Sequence, residues 1–482
     1  MNRLVRGLIV GGACAVTSCM VGPNFRPPPP PTVDRYTPAP LPAQTPANGG
    51  QGVQHFALGA AVAEHWWTFF GSARLDALEA EALKANSDLQ SAQAALSQAH
   101  EVYLAQRAAR FPTVELALNA TRAKNSDTLA SPLNSNAEVY SLYSAQLNVS
   151  YVLDVFGGVK RQTESVAAQA ENQKFLTEGV YLTLTANVAN AAIQLAGLDS
   201  QMDDTQRLVQ ADARALAITR RQRQLGEAST TDEASAESTL EQAEQLVPPL
   251  KKQIDQERDL LAALIGRPPS TAPSDRFVVS DFQLPSELPV SLPSDLVRQR
   301  PDVRAAEANV HVAAAQVGVA AAARLPSFTL AASPGGESTQ VTTLFSNGNA
   351  LWSIAAAASQ TVFDAGALRH KQRAAEAALT QAEAQYRSAV LVALQNTADV
   401  LQAIVDDGDA STHAAAAEAT AARSLRLVTE QYAQGQVGVL TVLTAETAEC
   451  QARVALTQAR SARYVDTVAL YQALGGGWSG RS

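Results

Sequence analysis

Between Tyr143 and Val155 the side chains alternate. Tyr143, Ala145, Leu147, Val149, Tyr151, Leu153 and Val155 share one parity; Ser144, Gln146, Asn148, Ser150, Val152 and Asp154 share the other. A period of two, apolar against mostly polar, predicts a strand with two different environments. About 10 residues is the length of a membrane-spanning barrel strand. Phe156-Gly157-Gly158 ends the alternation, and a long Ala- and Gln-rich stretch with helical spacing follows.

This transition occurs twice, because the chain repeats itself at an offset of about 210 residues. Asn86-Ser87-Asp88-Leu89 is answered by Arg300-Pro301-Asp302-Val303, and Arg110-Phe111-Pro112 by Arg324-Leu325-Pro326. Val155-Phe156-Gly157-Gly158 is answered by Phe363-Asp364-Ala365-Gly366, and Gln224-Leu225-Gly226-Glu227 by Ala433-Gln434-Gly435-Gln436. Leu264-Ile265-Gly266 is answered by Ala473-Leu474-Gly475. The first repeat covers 61–267 and the second 294–475. A Pro-rich linker, 268–293, joins them, and a tail, 476–482, follows.

Each repeat predicts the same order of elements. A helix comes first, over 72–109 and 294–323, ended by Pro112 or Pro326. In the first copy Leu75, Leu78, Ala82, Ala85, Leu89, Ala92, Leu96, Ala99 and Tyr103 step by three and four. A strand follows, 112–122 and 326–333, then a polar loop and a return strand, 143–155 and 351–363. The long helix runs over 157–225 and 366–434 without a proline. At 1.5 Å per residue such a helix reaches roughly 100 Å. Gly226 and Gly435 mark turns, and a return helix runs over 228–265 and 437–474. The many small residues on these stripes suit close helix packing.

Four strands cannot close a membrane barrel, which needs at least about eight. Open strand edges in a bilayer leave backbone groups unpaired at several kcal/mol each. The strand count therefore implies an oligomer, and three chains would supply twelve strands.

The 482 residues carry a net charge of −9, without basic clusters, which argues against nucleic acid as a partner. Three cysteines, Cys14, Cys19 and Cys450, make no disulfide framework, and Cys450 lies on a packed helical stripe. No uninterrupted apolar run of 18 residues follows the N-terminal segment, so no transmembrane helix is expected. Residues 1–18 read as a signal peptide: Arg3 and Arg6, then the short apolar core LIVGGACAV. Val16-Thr17-Ser18 before Cys19 resembles a bacterial lipobox, with Cys19 acylated; the other reading is an ordinary signal peptide with incidental cysteines. Met20 and Val21 in place of an aspartate resemble the signal for the outer rather than the inner membrane. Residues 19–60, with their run of prolines, read as a lipid-anchored extended tether.

Cys19-Met20-Val21-Gly22-Pro23-Asn24-Phe25, Trp66-Trp67-Thr68-Phe69-Phe70, Asn86-Ser87-Asp88-Leu89, Tyr151 to Gly157, Arg300-Pro301-Asp302-Val303 and Gln431-Tyr432-Ala433-Gln434-Gly435 together resemble the TolC-type outer-membrane efflux factors. The likeness is to their NodT-type, OprM-like lipoprotein branch, and it covers essentially the whole mature chain. It implies a mainly α fold with a small membrane β-barrel. It implies a homotrimer with a twelve-stranded outer-membrane barrel and a long periplasmic α-helical tunnel. It also implies a periplasmic membrane-fusion adaptor and an inner-membrane pump of the resistance-nodulation-division (RND) type as partners. No cofactor is implied beyond a covalent lipid on Cys19 and the surrounding outer-membrane lipid. Two cargoes fit such a duct, small molecules in efflux or proteins in type I secretion; the lipoprotein signature favours efflux.

The resemblance places adaptor docking at the two tips, on Leu225, Gly226, Glu227 and Ala228 and on Gln434, Gly435, Gln436 and Val437. Ordinary helical turns with glycine at C′ explain the same residues. It places the periplasmic gate at Asp232, with Thr441 and Thr444 where relatives often carry an aspartate ring. A carboxylate ring would favour cations. A solvated acid in the first turn of a helix accounts equally well for Asp232. Asp406, Asp407 and Asp409 lack the spacing of a calcium loop and read as a solvated helix face. The six histidines show no paired metal spacing. Trp66 and Trp67 read as packing anchors, and Tyr151 and Trp352 suit a membrane interface.

Overall fold

The computed structural model describes residues 20–46, 52–126, 128, 137–273 and 276–478. The signal peptide, Cys14, Cys19 and the last four residues of the tail lie outside them. The chain divides into two compact units, each contributed by three segments.

The first unit comprises Met1–Pro28, Leu96–Gln173 and Ala306–Tyr386. Its centre is one antiparallel sheet of four strands, β2 (Thr113–Lys124), β3 (Val139–Leu153), β5 (Ser327–Ser338) and β6 (Ala350–Ser359), in that order. The strands are the two expected hairpins, displaced: β3 and β5 extend into the polar loops, and β6 stops before Val362. Lys124 pairs with Val139 and Gly336 with Ala350, so those loop residues continue the ladder instead of closing a turn.

The second unit comprises Pro29–Ala95, Lys174–Ala305 and Arg387–Ser482. It contains two strands that the sequence reading assigned to tether and linker. β1 (His55–Leu58) pairs in parallel with β4 (Glu287–Val290), and Leu288 and Val290 are buried. The short 3-10 turn Trp66–Phe70 buries Trp66, Trp67 and Phe70 in a core shared with Phe277 and Phe282. Trp66 stacks on Tyr471 at 5.1 Å between ring centroids, and the Tyr464 hydroxyl donates to the Phe282 carbonyl at 2.9 Å. The two tryptophans are thus core residues.

Each predicted leading helix is two helices. The first copy has α1 (Ala73–Ala85) and α2 (Ser87–Ala108); the second has α6 (Pro293–Gln299) and α7 (Pro301–Ala322). Asn86 leaves helical geometry and its Oδ1 accepts from Leu89 N–H at 3.0 Å, capping α2. Pro301 excludes Arg300 from the helical region. Both breaks also cap the return helix of their own copy. Asn86 Nδ2 donates to the carbonyl of Leu264 at 3.0 Å, and Arg300 Nη1 to that of Ala473 at 3.1 Å. Those are the last residues of α5 (Val247–Leu264) and α9 (Val439–Ala473). The heptad stripe is blind to such a break because the apolar spacing continues through it.

The long helices are continuous: α3 (Gly158–Gln224) and α8 (Ala367–Ala433), 67 residues each. Each starts after a left-handed glycine, Gly157 at φ 76° and Gly366 at φ 88°. An upstream carboxylate holds the first amides: Asp154 accepts from Val159 and Lys160 at 3.0 and 2.7 Å, and Asp364 from Gly366 and Leu368 at 2.8 Å each. The return helix of the first copy is broken into α4 (Thr230–Gln245) and α5, because Pro248 and Pro249 fit only a first helical turn. That of the second copy, α9, is unbroken. Among the described residues one helix, α8, contains an 18-residue stretch apolar enough to cross a membrane by length and composition. The sequence expectation of none was too strict, since it required an uninterrupted apolar run.

The tether is also more ordered than a spacer. The fully buried Arg463 of α9 donates Nε to Gln54 Oε1 at 3.0 Å, and Nη2 to Thr45 Oγ1 at 2.8 Å and the Gly52 carbonyl at 3.1 Å. Asp407 lies beside this contact, next to Gly408, whose Cα faces Pro46. Asp406 and Asp409 are solvent-exposed as expected, but Asp407 is half-buried. Burial, with the Asp466 carboxyl beside it, pushes Asp407 up to about 7. The tail likewise packs: Trp478 donates to the Gln299 carbonyl and its ring meets Phe175 edge-on at 5.5 Å.

Two outcomes follow. Gly226 and Gly266 share a left-handed φ, 80° and 76°, but a Cβ at Gly226 would meet nothing, whereas at Gly266 it would lie 2.5 Å from the Ala85 carbonyl oxygen. Gly226→Ala is expected to cost about 1 kcal/mol, and Gly266→Ala at least about twice that, in thermal or denaturant unfolding. Equal losses would remove the role of the Ala85 contact. For Asp407, the folded chain keeps a proton that the unfolded chain loses between the ordinary carboxylate range and about pH 7. Stability therefore falls as pH rises through that window. Asp407→Asn removes this fall: its Tm should match the parent near pH 4 and exceed it at pH 8.

Candidate functional site

The register of the four-stranded sheet sets its apolar side chains opposite one another. Val114, Leu116 and Leu118 lie opposite Val149, Leu147 and Ala145. Val149, Tyr151 and Leu153 lie opposite Ala332, Leu330 and Phe328, and these opposite Ile354, Ala356 and Ala358. Directly opposed residues share a face, so one face is apolar across all four strands, through to Trp352. It is also open: Leu116, Leu118, Trp352 and Ile354 are each at least 65% exposed. The other face carries Glu115, Asn119, Gln146, Asn148, Ser150, Thr329 and Ser333 among small alanines. Ser333 Oγ donates to Asn148 Oδ1 across it at 3.0 Å.

An exposed apolar face of this extent is not that of a water-soluble sheet. Among the described residues β2 pairs only with β3, and β6 only with β5. Two full edges of N–H and C=O groups therefore have no partner strand among the described residues. The sheet is a segment of a larger wall, apolar outside and polar inside.

At the other candidate site, both tips end in the same backbone device. Glu227 N–H donates to the Gln222 carbonyl at 2.8 Å and Gly226 N–H to that of Arg223 at 3.0 Å. Gln436 N–H donates to Gln431 and Gly435 N–H to Tyr432, both at 2.9 Å. This pair of bonds closes a helix end only with a left-handed residue between them, and Gly226 and Gly435 supply φ 80° and 74°. Leu225, exposed beside Gly226, is the large apolar residue at the first tip. Glu227 and Gln434, Gln436 and the neighbouring Ala228 and Val437 complete the two turns.

Asp232 faces its own helix. Its Oδ2 accepts from both the backbone N–H and the hydroxyl of Ser229, each at 2.8 Å, and Ser229 Oγ accepts from Asp232 N–H at 3.1 Å. This reciprocal cap holds the Asp232 carboxyl below its usual range. Thr444 turns its hydroxyl to the Leu440 carbonyl at 2.9 Å, and Thr441 N–H closes the first turn of α9 on Gly438 at 3.1 Å.

Sequence reasoning missed the ion pairs above the first tip. Arg220 meets Glu233 at 3.2 Å and Glu237 at 3.1 Å, Arg223 also meets Glu233, and Arg214 meets Glu446 of α9. The signal was available: Arg220 and Arg223 precede the turn, and Glu233 and Glu237 follow it four residues apart. Among the described residues no ion pair joins α8 to α9 beside Gly435. Nor do they hold a cluster of His, Cys, Asp and Glu able to bind a metal. Cys450 is buried in a small apolar cluster with Leu208 and Ala243.

Comparison with known proteins agrees with this geometry. The family model for outer membrane efflux proteins matches residues 78–267 and 292–476, the two repeats. The pyoverdine export outer membrane protein OpmQ of Pseudomonas aeruginosa is 30% identical over 417 residues, covering 86% of this chain and 87% of the relative. The solvent efflux pump outer membrane protein SrpC of Pseudomonas putida is 30% identical over 450 residues, 92% and 93%. Among solved structures, the outer-membrane channel OprN superposes with a TM-score of 0.82 at 26% identity, over 95% of this chain and 100% of that one. The open-state MtrE outer membrane channel of Neisseria gonorrhoeae superposes with a TM-score of 0.80 at 27% identity, over 95% and 98%. With both repeats matched and the two-faced sheet in place, the chain belongs to the outer membrane efflux protein family.

Proposed function

We propose that this chain is the outer-membrane channel component of a tripartite efflux system. It is a passive exit duct for small molecules delivered by a pump and an adaptor. The observation that carries this reading is the sheet: four two-faced strands with both edges open. A β-structure crosses a bilayer only when its edges are closed. Three copies, joining β6 of one to β2 of the next, close a barrel of twelve strands with the apolar face in lipid. The polar face, with Gln146, Asn148 and Ser150, then lines the pore.

Two relatives of equal identity are named for different cargoes, pyoverdine and solvents. Cargo choice then belongs to the pump, and the wall needs only to be wet and unobstructed. The face-to-face mixture of serine, asparagine and alanine in β3, β5 and β6 supplies that. The tips at Gly226 and Gly435 receive the adaptor, which in turn engages an inner-membrane pump of the RND type. Asp232 contributes a ring of negative charge near the periplasmic entrance; its cap keeps the carboxylate ionised at neutral pH. Cys19 carries the lipid.

Reconstituted into a planar bilayer, the purified protein should conduct ions as a trimer, seen by crosslinking. No conductance by the intact oligomer would reject the duct. Asp232→Ala should lower the preference for cations; unchanged current and unchanged selectivity would take Asp232 out of the gate. A cysteine replacing Asn148 should react with a charged thiol reagent entering the lumen, and one replacing Val149 should not. The reverse pattern would place the polar face outside.

A further inference from the structure

The residues that follow Cys19 are held more specifically than a tether requires. Val21 N–H donates to the Phe156 carbonyl, just beyond β3, at 3.2 Å. Gly22 takes φ 88° against α7, where a Cβ would come within 2.4 Å of Gly318 Cα. Gly318 in turn leaves the space that the Arg161 side chain fills, for a Cβ there would lie 2.8 Å from Arg161 Cδ.

Arg161, in the first turn of α3, is 1% exposed. Its Nε donates to the Val21 carbonyl at 3.1 Å, and its Nη2 to the Gly22 carbonyl at 3.2 Å and to Asn24 Oδ1 at 2.8 Å. Its Nη1 donates to Glu164 Oε2 at 2.8 Å. The other Glu164 oxygen meets His311 Nε2 of α7 at 3.0 Å, and the His311 ring stacks on Phe25 at 4.3 Å and 12°. A guanidinium taken out of water is costly unless its donors are filled. Here three of its four hydrogen bonds go to the N-terminal segment, so without that segment only the bond to Glu164 would remain.

We propose that Arg161, Glu164 and His311 form a built seat for residues 20–25, which fixes where the lipid on Cys19 enters the membrane. The inference rests on the lipidation of Cys19 and on the barrel reading above. Met20 already lies against the strand-to-helix junction, since a Cβ at Gly157 would be 2.8 Å from Met20 Cγ. The seated segment therefore ends where β3 finishes and β5 begins, and there Phe111, Leu153, Val362 and Phe363 expose apolar surface for acyl chains to cover. The seat turns an anchor that would otherwise roam on a Pro-rich leash into a fixed lipid contact at the periplasmic rim of the barrel.

The test uses the full chain produced in a Gram-negative host fed a diazirine-bearing fatty acid. The purified oligomer is irradiated, digested and mapped by mass spectrometry. In the parent, crosslinks should concentrate on peptides containing Leu153–Phe156 and Val362–Phe363. Asn24→Ala with Phe25→Ala, which alters no residue of a helix or strand, should spread them and lower the yield on those peptides at least about tenfold; Arg161→Ala should do the same. A scattered map in the parent, or an unchanged map in both variants, would overturn the proposal. Two readouts separate its parts. Intact mass shows whether Cys19 is acylated, and an unmodified mass rejects the lipidation on which the inference rests. Amide exchange at Val21, Gly22, Asn24 and Phe25 reports the seat alone: it should quicken about tenfold in Arg161→Ala, and unchanged exchange rejects the seat even where the lipid is present.

Discussion

A strand edge in hydrocarbon has no water to satisfy it, and the rest of this protein follows from that constraint. Among the described residues of the first unit one sheet has four strands, and both outer strands keep an open side. No rearrangement within one chain closes so short a sheet, because a membrane barrel needs about twice as many strands. Closure by further copies is therefore part of the fold itself. The apolar face is exposed in the single chain for the same reason: its partner is lipid.

The same constraint explains the doubled sequence. Each repeat supplies one hairpin and the long helix that descends from it, begun by a left-handed glycine and an upstream aspartate. Its second half must return and end beside its start. Asn86 and Arg300 show how: both sit where a leading helix breaks, and both reach the last carbonyl of their own return helix. Gly266 and Gly475 complete the contact, since a Cβ at either would strike backbone of the broken helix at 2.5 Å. Unlike residues, an amide and a guanidinium, thus do the same work in the two copies.

The copies diverge where their tasks allow it. The first hairpin is tied by Arg220, Arg223, Glu233 and Glu237, and its return arm is broken at Pro248 and Pro249. The second has an unbroken return helix, and Val442 stands where the first has Glu233. Exposed ion pairs such as these add little stability each. Their arrangement matters more, for it joins α3 to both α4 and α9 and leaves α8 beside Gly435 without such ties among the described residues.

What could be read from residues alone was what local chemistry encodes. Alternation with period two located all four barrel strands, because each lies between two different solvents. Helical spacing without proline located α3 and α8 to within about one residue, and glycine marked both tips. The repeat and the Pro-limited ends came from the same local signals. Register, break and cap needed the tertiary structure. A heptad stripe runs unchanged across Asn86, whose partner Leu264 is 178 residues away. The strands β1 and β4 are four residues each, too short for a periodic signal, and exist only because they find each other. Asp407 looked like solvated surface until the tether, docked on Arg463 close by, helped to half-bury it. Asp232 shows the limit in the other direction: sequence placed it at the start of a helix, and only geometry showed its carboxylate closing on Ser229. Local periodicity records what each segment faces, whereas the pairing of distant segments is settled only when the chain is folded and their unpaired groups must be satisfied.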